Sequence, residues 1–312
     1  MATRRQFIKT TSLTAISPIV SLPSSLLTSG GSLRASLNPS SIGLQCTAAE
    51  LLDYSILYNF KAISPILTDL ISYSKTQQKE YIKKMKAHDI VFDSAGLPIK
   101  FRTSKIEFHR GLSFLKQHIE TIANYGIPSF VTWIMPTNQE LTYRQNFDQH
   151  QIRLKQAAKV IGTEGLRLGL EYVGPKTLMI RDKYPFIHTI AELRELISGI
   201  GEDNVGYLLD SFHTYCSGDS LKDLAFLKAN DIVSVQVNDG VIGRTADTQI
   251  DQERELPGDT GLIDLKRFLN TVKSTGYSGA VSVEPFNKMV NQMDTISKLK
   301  RIRASLKKIG LK

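Results

Sequence analysis

The chain has 312 residues, 41% hydrophobic and 22% charged, enough for one large or two ordinary globular domains. It has no apolar run of 18 or more residues, which argues against stable membrane insertion through a helix. The formal charge of +9 is dispersed, and the seven basic residues from Lys298 to Lys312 lack interleaved aromatics, so they read as the solvated face of a last helix rather than a nucleic-acid surface. Cys46 and Cys216 are too few and too far apart for a disulfide framework or a thiolate metal site, and read as separate thiols.

Residues 1–32 contain Arg4, Arg5 and Lys9 and no acid. Thr3-Arg4-Arg5-Gln6-Phe7-Ile8-Lys9 resembles the twin-arginine export signature, and the weakly apolar stretch Thr10–Leu27 follows it. The segment reads as a signal peptide, with the mature chain starting near residues 28–34; a disordered basic arm is the alternative. The signal implies a bacterial protein carried folded beyond the inner membrane, into the periplasm.

From Leu33 onward, short β-favouring runs alternate with longer amphipathic stretches. Strands are expected at Leu33–Leu44, Phe60–Ser64, Ile90–Phe92, Ser129–Met135, Leu166–Val173, Val205–Asp210, Ile232–Val237 and Ala280–Pro285. Helices are expected after Thr47, over 68–88, Ser104–Tyr125, Arg144–Ile161, Ile190–Ile200, Ser220–Ala229, Leu262–Thr275 and Val290–Ile309. Thr47 with Glu50 forms a capping box, and Phe108, Leu112, Leu115, Ile119 and Ile122 share one helix face. Residues 93–101 and 241–260 read as loops.

The later strands are continuous apolar runs, the pattern of parallel strands covered on both faces. Eight strand–helix units in about 280 residues fit a single α/β (β/α)8 TIM barrel over residues 33–312. A doubly wound open sheet is the alternative, but no Gly-x-Gly-x-x-Gly follows the first strand, which weakens a dinucleotide-binding version.

In such a barrel the chemistry sits at the C-terminal ends of the strands. Strand five ends in Glu171. Strand six ends in Asp210, with His213 three residues on. Strand seven carries Gln236, then Asn238 and Asp239, and strand eight ends in Glu284. Any one of these has an ordinary structural reading: Asp210 as a helix cap, His213 as a satisfied loop histidine, Gln236 as an interior amide. Together on four successive strands they form an oxygen-rich cage suited to Mn²⁺, Mg²⁺ or Co²⁺. Without a cation the carboxylates would repel one another and bind protons more tightly.

The order Leu-x-Leu-Glu171, Leu-Leu-Asp210-x-x-His213, a strand ending near Asn238-Asp239, and Val-Glu284-Pro resembles the xylose isomerase-like sugar isomerase/epimerase superfamily. Arg254 and the Pro257-Gly258-x-x-Gly261 turn resemble the family's loop after strand seven. The resemblance implies a TIM barrel with one divalent metal held by Glu171, Asp210, Gln236 and Glu284, with His213 and Arg254 on the substrate side. Gln236 departs from the histidine found in most such epimerases. Dehydroshikimate dehydratases include glutamine examples.

The implied chemistry is proton abstraction next to a carbonyl, with Glu171 and Glu284 as the proton-transferring pair. The substrate expected is a free sugar or keto-sugar, isomerised or epimerised. A dehydratase or β-eliminating lyase on a keto-sugar or cyclic polyol ketone is the second reading, and an inactive carbohydrate-binding barrel the third. Trp133 is expected to wall the sugar pocket, Phe212 to pack in the core, and Lys100 and Arg102 to lie near the mouth. Self-association into a homo-oligomer stays open.

Overall fold

The structure, a computed structural model, describes residues 32–311. The twin-arginine segment and the apolar stretch after it lie outside the described residues. Among the described residues the main sheet is parallel throughout and curls into a barrel. The first strand, Arg34–Leu37, lies between Ala62–Ile63 and Ala280–Val283. Ile232–Val237, Val205–Asp210, Arg167–Tyr172 and Ser129–Ile134 then follow round from Ala280–Val283.

Closure falls to the third strand, which is split. Val91–Phe92 pairs with Ala62–Ile63, while Ala95–Gly96 pairs with Phe130–Val131 on the other side. Asp93 and Ser94 form the kink between the halves. Asp93 N still donates to Ile63 O at 2.8 Å, and Leu97 N to Val131 O at 2.9 Å. The expected loop over 93–101 therefore begins with strand. The first half falls within the expected strand Ile90–Phe92, and the second, two residues long, is too short for hydrophobic periodicity to reveal it.

The helices cover the barrel through the stripes the sequence displays. Phe108, Leu112, Leu115, Ile119 and Ile122 of Lys105–Asn124 are all buried. The Thr47 box forms as expected: Glu50 N donates to Thr47 Oγ1 at 3.3 Å, and Thr47 N to Glu50 Oε2 at 2.8 Å. Two expected helices are each broken by an internal cap. The 68–88 stretch divides into Leu67–Ser72 and Lys75–Ala87 because Ser74 and Gln77 make a second capping box. The 290–309 stretch divides into Lys288–Gln292 and Thr295–Lys308 because Asp294 caps Ser297 N at 3.0 Å.

The helix expected over Ser220–Ala229 is a series of turns. The helix that follows strand six is instead Ser211–Ser217, started at once by Asp210 as its N-cap. The basic C-terminal stretch also differs from expectation, since Lys298 and Arg303 are buried. Lys298 Nζ donates to Gly43 O at 2.9 Å and ties the last helix to the turn after the first strand, while Arg303 Nη1 donates to Leu311 O at 3.0 Å and folds the chain end back onto that helix. Cys46 and Cys216 are free thiols. No helix among the described residues is long and apolar enough to cross a membrane.

Candidate active site

The last four strands deliver their polar ends to one place. Glu171 is buried near the end of strand five, and Gln236 is buried in strand seven. The end of Gln236 sits between the two glutamates. One terminal atom of its amide is 3.2 Å from Glu171 Oε1 and 3.1 Å from Glu284 Oε2. Turned nitrogen-inward, the amide donates to both carboxylates. Turned oxygen-inward, it places three oxygens around one point, an arrangement that a cation between them makes favourable. Ligand atoms of Glu171, Asp210 and His213 also lie within 4.8 Å of one another. The donor set is hard, buried and convergent, so these residues fit a divalent ion.

Asp210 has a second task. Its Oδ1 accepts from Phe212 N at 2.6 Å and His213 N at 3.2 Å, the N-cap of the short helix. Its Oδ2 accepts from Asn238 Nδ2 at 2.8 Å and Arg254 Nη1 at 3.2 Å. Asn238 turns its amide oxygen to Glu284 N at 2.7 Å and thereby ties strands six, seven and eight together. The helix-cap reading of Asp210 and its place in the acid cluster hold at once.

Arg254 is 1% exposed. Its Nη2 reaches Asp251 Oδ1 at 2.7 Å, and its Nη1 lies 3.5 Å from Glu284 Oε2. Burial works against its charge, but Asp210, Asp251 and Glu284 outweigh that and hold the guanidinium above its ordinary range. It is sandwiched between the rings of Phe212 and Phe286, 4.7 Å and 4.8 Å from their centroids. Phe286 adopts φ 42°, the left-handed region that disfavours a bulky side chain. The strained backbone thus sits two residues from Glu284, where the ring covers the arginine.

Burial, then the charges of Glu284 and Asp210, push Glu171 well above the usual carboxylate range. Burial pushes Glu284 up to about 7 against the opposing pull of Arg254. Burial, then Arg254, lower His213 to about 4, so its ring is neutral at physiological pH. His213 Nε2 is 3.3 Å from Arg254 Nη2 and 3.8 Å from Glu171 Oε1. Gly174 N donates to His213 Nδ1 at 3.4 Å. A Cβ at Gly174 would lie 2.3 Å from His213 O, so the loop after strand five needs glycine there to come this close.

These groups floor a cavity of about 370 Å³ at the C-terminal mouth. Trp133, Met135, Val173, Leu178 and Phe286 form an apolar wall opposite the acids. Trp133 is half exposed, with Arg102 stacked 4.7 Å from its ring centroid. Phe212 is fully buried, as expected. A larger cavity of about 400 Å³ lies at the opposite end of the barrel, away from these groups.

Asp251 and Phe286 are site residues that the sequence reading missed. Asp251 lies in an apparently featureless polar loop, and its only signal is its spacing three residues before Arg254. Asp239 proves to organise that loop's far end: its carboxylate accepts from Gly240, Thr260, Gly261 and Ile263 N at 2.8–3.1 Å. Gln249, fully buried, ties Val241 and Arg244 together within the same loop.

Known proteins resemble this chain along most of its length. An inosose isomerase of Halalkalibacterium halodurans is 26% identical over 231 residues, 72% of this chain and 73% of that protein. A 3-dehydroshikimate dehydratase of Pseudomonas aeruginosa is 30% identical over 137 residues, covering 43% of this chain and 20% of that longer protein. The solved xylose isomerase domain protein of Alicyclobacillus acidocaldarius superposes with a TM-score of 0.79 at 28% identity, covering 89% of this chain and 98% of that one. The zinc-bound IOLI protein shares the fold at 20% identity and a TM-score of 0.73, over 89% of this chain and 98% of its own. Residues 56–309 match the family described as xylose isomerase-like TIM barrel, and the chain belongs to that family.

Proposed function

We propose that this chain is a divalent-metal-dependent isomerase or epimerase of a free keto-sugar or cyclic polyol ketone. The observation that carries the reading is the convergence of Glu171 and Glu284, which line the mouth cavity, on Gln236 in the cavity that adjoins it. Glu171, buried, and Glu284, partly buried, on either side of one amide can serve the two faces of a bound ring, one removing the proton next to a carbonyl and the other returning it. Without an ion, burial and the neighbouring acids raise the proton affinity of both carboxylates.

Glu171, Asp210, Gln236 and Glu284 would hold the ion, with His213 Nε2 within reach of the same space. When bound, a divalent cation supplies positive charge that stabilises the enediolate. Arg254 holds the acid array together and adds fixed positive charge beside it. The neutral His213 is suited to hydrogen-bond a substrate hydroxyl. Trp133 and the neighbouring apolar side chains would take the apolar face of a ring. Similarity to inosose isomerases favours a cyclic polyol ketone within this class. The donor set favours Mn²⁺ or Mg²⁺, with Co²⁺ next.

The test is turnover of a panel of inososes and keto-sugars in D₂O after reconstitution with each metal. Deuterium at a retained carbon of an isomerised product supports the reading, and no turnover with any metal overturns it. A dehydratase is the second reading, favoured by Gln236 and by the dehydroshikimate dehydratase similarity; an unsaturated, ultraviolet-absorbing product would establish it. We also propose export by the twin-arginine route, on the strength of Arg4-Arg5 and the acid-free stretch behind them.

A further inference from the structure

Barrel axes of this architecture are ordinarily filled by layers of bulky branched side chains. Here the middle of the axis is polar. A chamber of about 170 Å³ runs from the C-terminal ends of the first strands, at Asn38 and Ser64, past the acid cluster and down to Ser94, Ser234 and Ser282 with Asp93. Glu171, Glu284 and Trp133 belong both to this chamber and to the mouth cavity above. Asp93 and Ser94 belong both to this chamber and to the 400 Å³ cavity at the N-terminal face below. Three cavities therefore stand in series along the axis, each sharing walls with the next.

The middle chamber calls for water. Asp93 is buried, and its Oδ1 accepts from Ser94 N at 2.7 Å and Ser234 Oγ at 3.2 Å. Ser36, fully buried and in register with Ser282, stands behind the chamber wall beside Asp93, and its hydroxyl makes no hydrogen bond among the described residues. A buried hydroxyl without a partner costs about 1–3 kcal/mol, and a bridging water removes that cost. The chamber is polar and has room for several waters at roughly 30 Å³ each.

We propose that the barrel axis is a hydrated passage, with Asp93 and Ser94 at its waist, that gives Glu171 and Glu284 access to solvent from the N-terminal face independently of the substrate mouth. Only water and protons travel in it, and one proton enters for each that leaves. Asp93 is a positioning residue here: it holds the water chain and does not touch substrate. A hydrogen taken from a substrate that fills the mouth can then exchange with solvent from below before it is returned.

The full-length protein supplies two arms of the test. The first is a crystal structure at a resolution that shows ordered water. A chain of waters through Asp93 is expected, and a dry chamber or one closed by rotated side chains overturns the proposal. The second arm rests on the proposed function and uses turnover in D₂O of whichever inosose or keto-sugar the enzyme accepts. The Ser234→Val/Ser282→Val variant fills the chamber, while Ser234→Ala/Ser282→Ala leaves it open. The valine pair is expected to raise the fraction of substrate-derived hydrogen in the product at least threefold, with the alanine pair like the wild type. Equal partition in the folded valine variant overturns the proposal. If the wild type turns over no inosose or keto-sugar, the functional reading fails and the crystallographic arm alone decides the passage.

Discussion

Arg254 Nη1 lies 3.2 Å from Asp210 Oδ2, with both side chains sealed from solvent and Asp210 also capping the helix that carries His213. One ion pair thus joins the loop after strand seven to the end of strand six. Removing one partner leaves a buried charge uncompensated. Arg254→Met is therefore expected to cost about 3–5 kcal/mol in denaturant unfolding. Adding Asp210→Asn should recover part of that loss, because the orphaned carboxylate goes with it. Additive losses in the double variant would contradict the pairing.

Glu284 supplies a pH test. Its folded-state pKa is raised from 4.5 to about 7, so its stabilising contribution is complete below about 4.5 and is lost as pH rises through 7. Glu171 acts in the same direction. His213 acts oppositely, since its pKa is lowered to about 4: its contribution is present above about 6.5 and lost as pH falls through 4. In chelator-treated protein, raising the pH from 6.5 to 8.5 should therefore lower stability, Glu284 contributing about 1 kcal/mol at most in that window because most of its loss falls between pH 4.5 and 7. Glu284→Gln should shrink that dependence and raise stability at pH 8.5 while abolishing turnover. Calorimetric unfolding at the two pH values decides it.

Metal binding should release protons. A cation must displace the protons that raised carboxylate pKa values retain, so Mn²⁺ affinity should rise by up to about tenfold per pH unit below 7 for each proton displaced. Titration calorimetry at pH 6.5 in buffers of different ionisation enthalpy should detect the released protons, and the share from Glu284 should fade by pH 8.5. Gln236→His should shift preference towards Zn²⁺, because imidazole suits that ion better than an amide oxygen does. Unchanged competition between Zn²⁺ and Mn²⁺ would remove Gln236 from the ligand set.

Asp239 holds four backbone N–H groups at the far end of the loop that carries Arg254. Asp239→Ala strands those donors and should cost at least about 2 kcal/mol. Hydrogen exchange should report the loss locally, over residues 258–263, before any global unfolding.

Arg4→Lys/Arg5→Lys tests the export proposal without touching the barrel. In a bacterial host with a twin-arginine system, the wild-type chain is expected in the periplasm and the variant in the cytoplasm, by fractionation. Identical distribution of the two would refute the assignment.

The barrel was legible in the sequence because parallel strands buried on both faces must be continuous apolar runs, and helices covering them must show 3.6-residue stripes. Strands six and seven fall on the expected residues, Val205–Asp210 and Ile232–Val237. Glu171, Asp210, Gln236 and Glu284 stood out for the same reason: a polar residue ending an apolar run has few places to go except the strand's C-terminal end. Helix breaks at Ser74 and Asp294 were also written locally, as capping residues inside an apolar stripe, and were missed because the stripe continues across them.

Other features exist only in three dimensions. The pairing of the split third strand with two different neighbours depends on closure of the whole sheet, which no local pattern encodes. Asp251 and Phe286 acquire their roles from an arginine that reaches them through tertiary packing. The raised proton affinity of Glu171 and Glu284 comes from burial beside other acids 33 to 113 residues away in the chain. Sequence chose the residue types and the strand ends; folding set the distances between them, and charge interactions depend on distance and burial rather than on sequence separation.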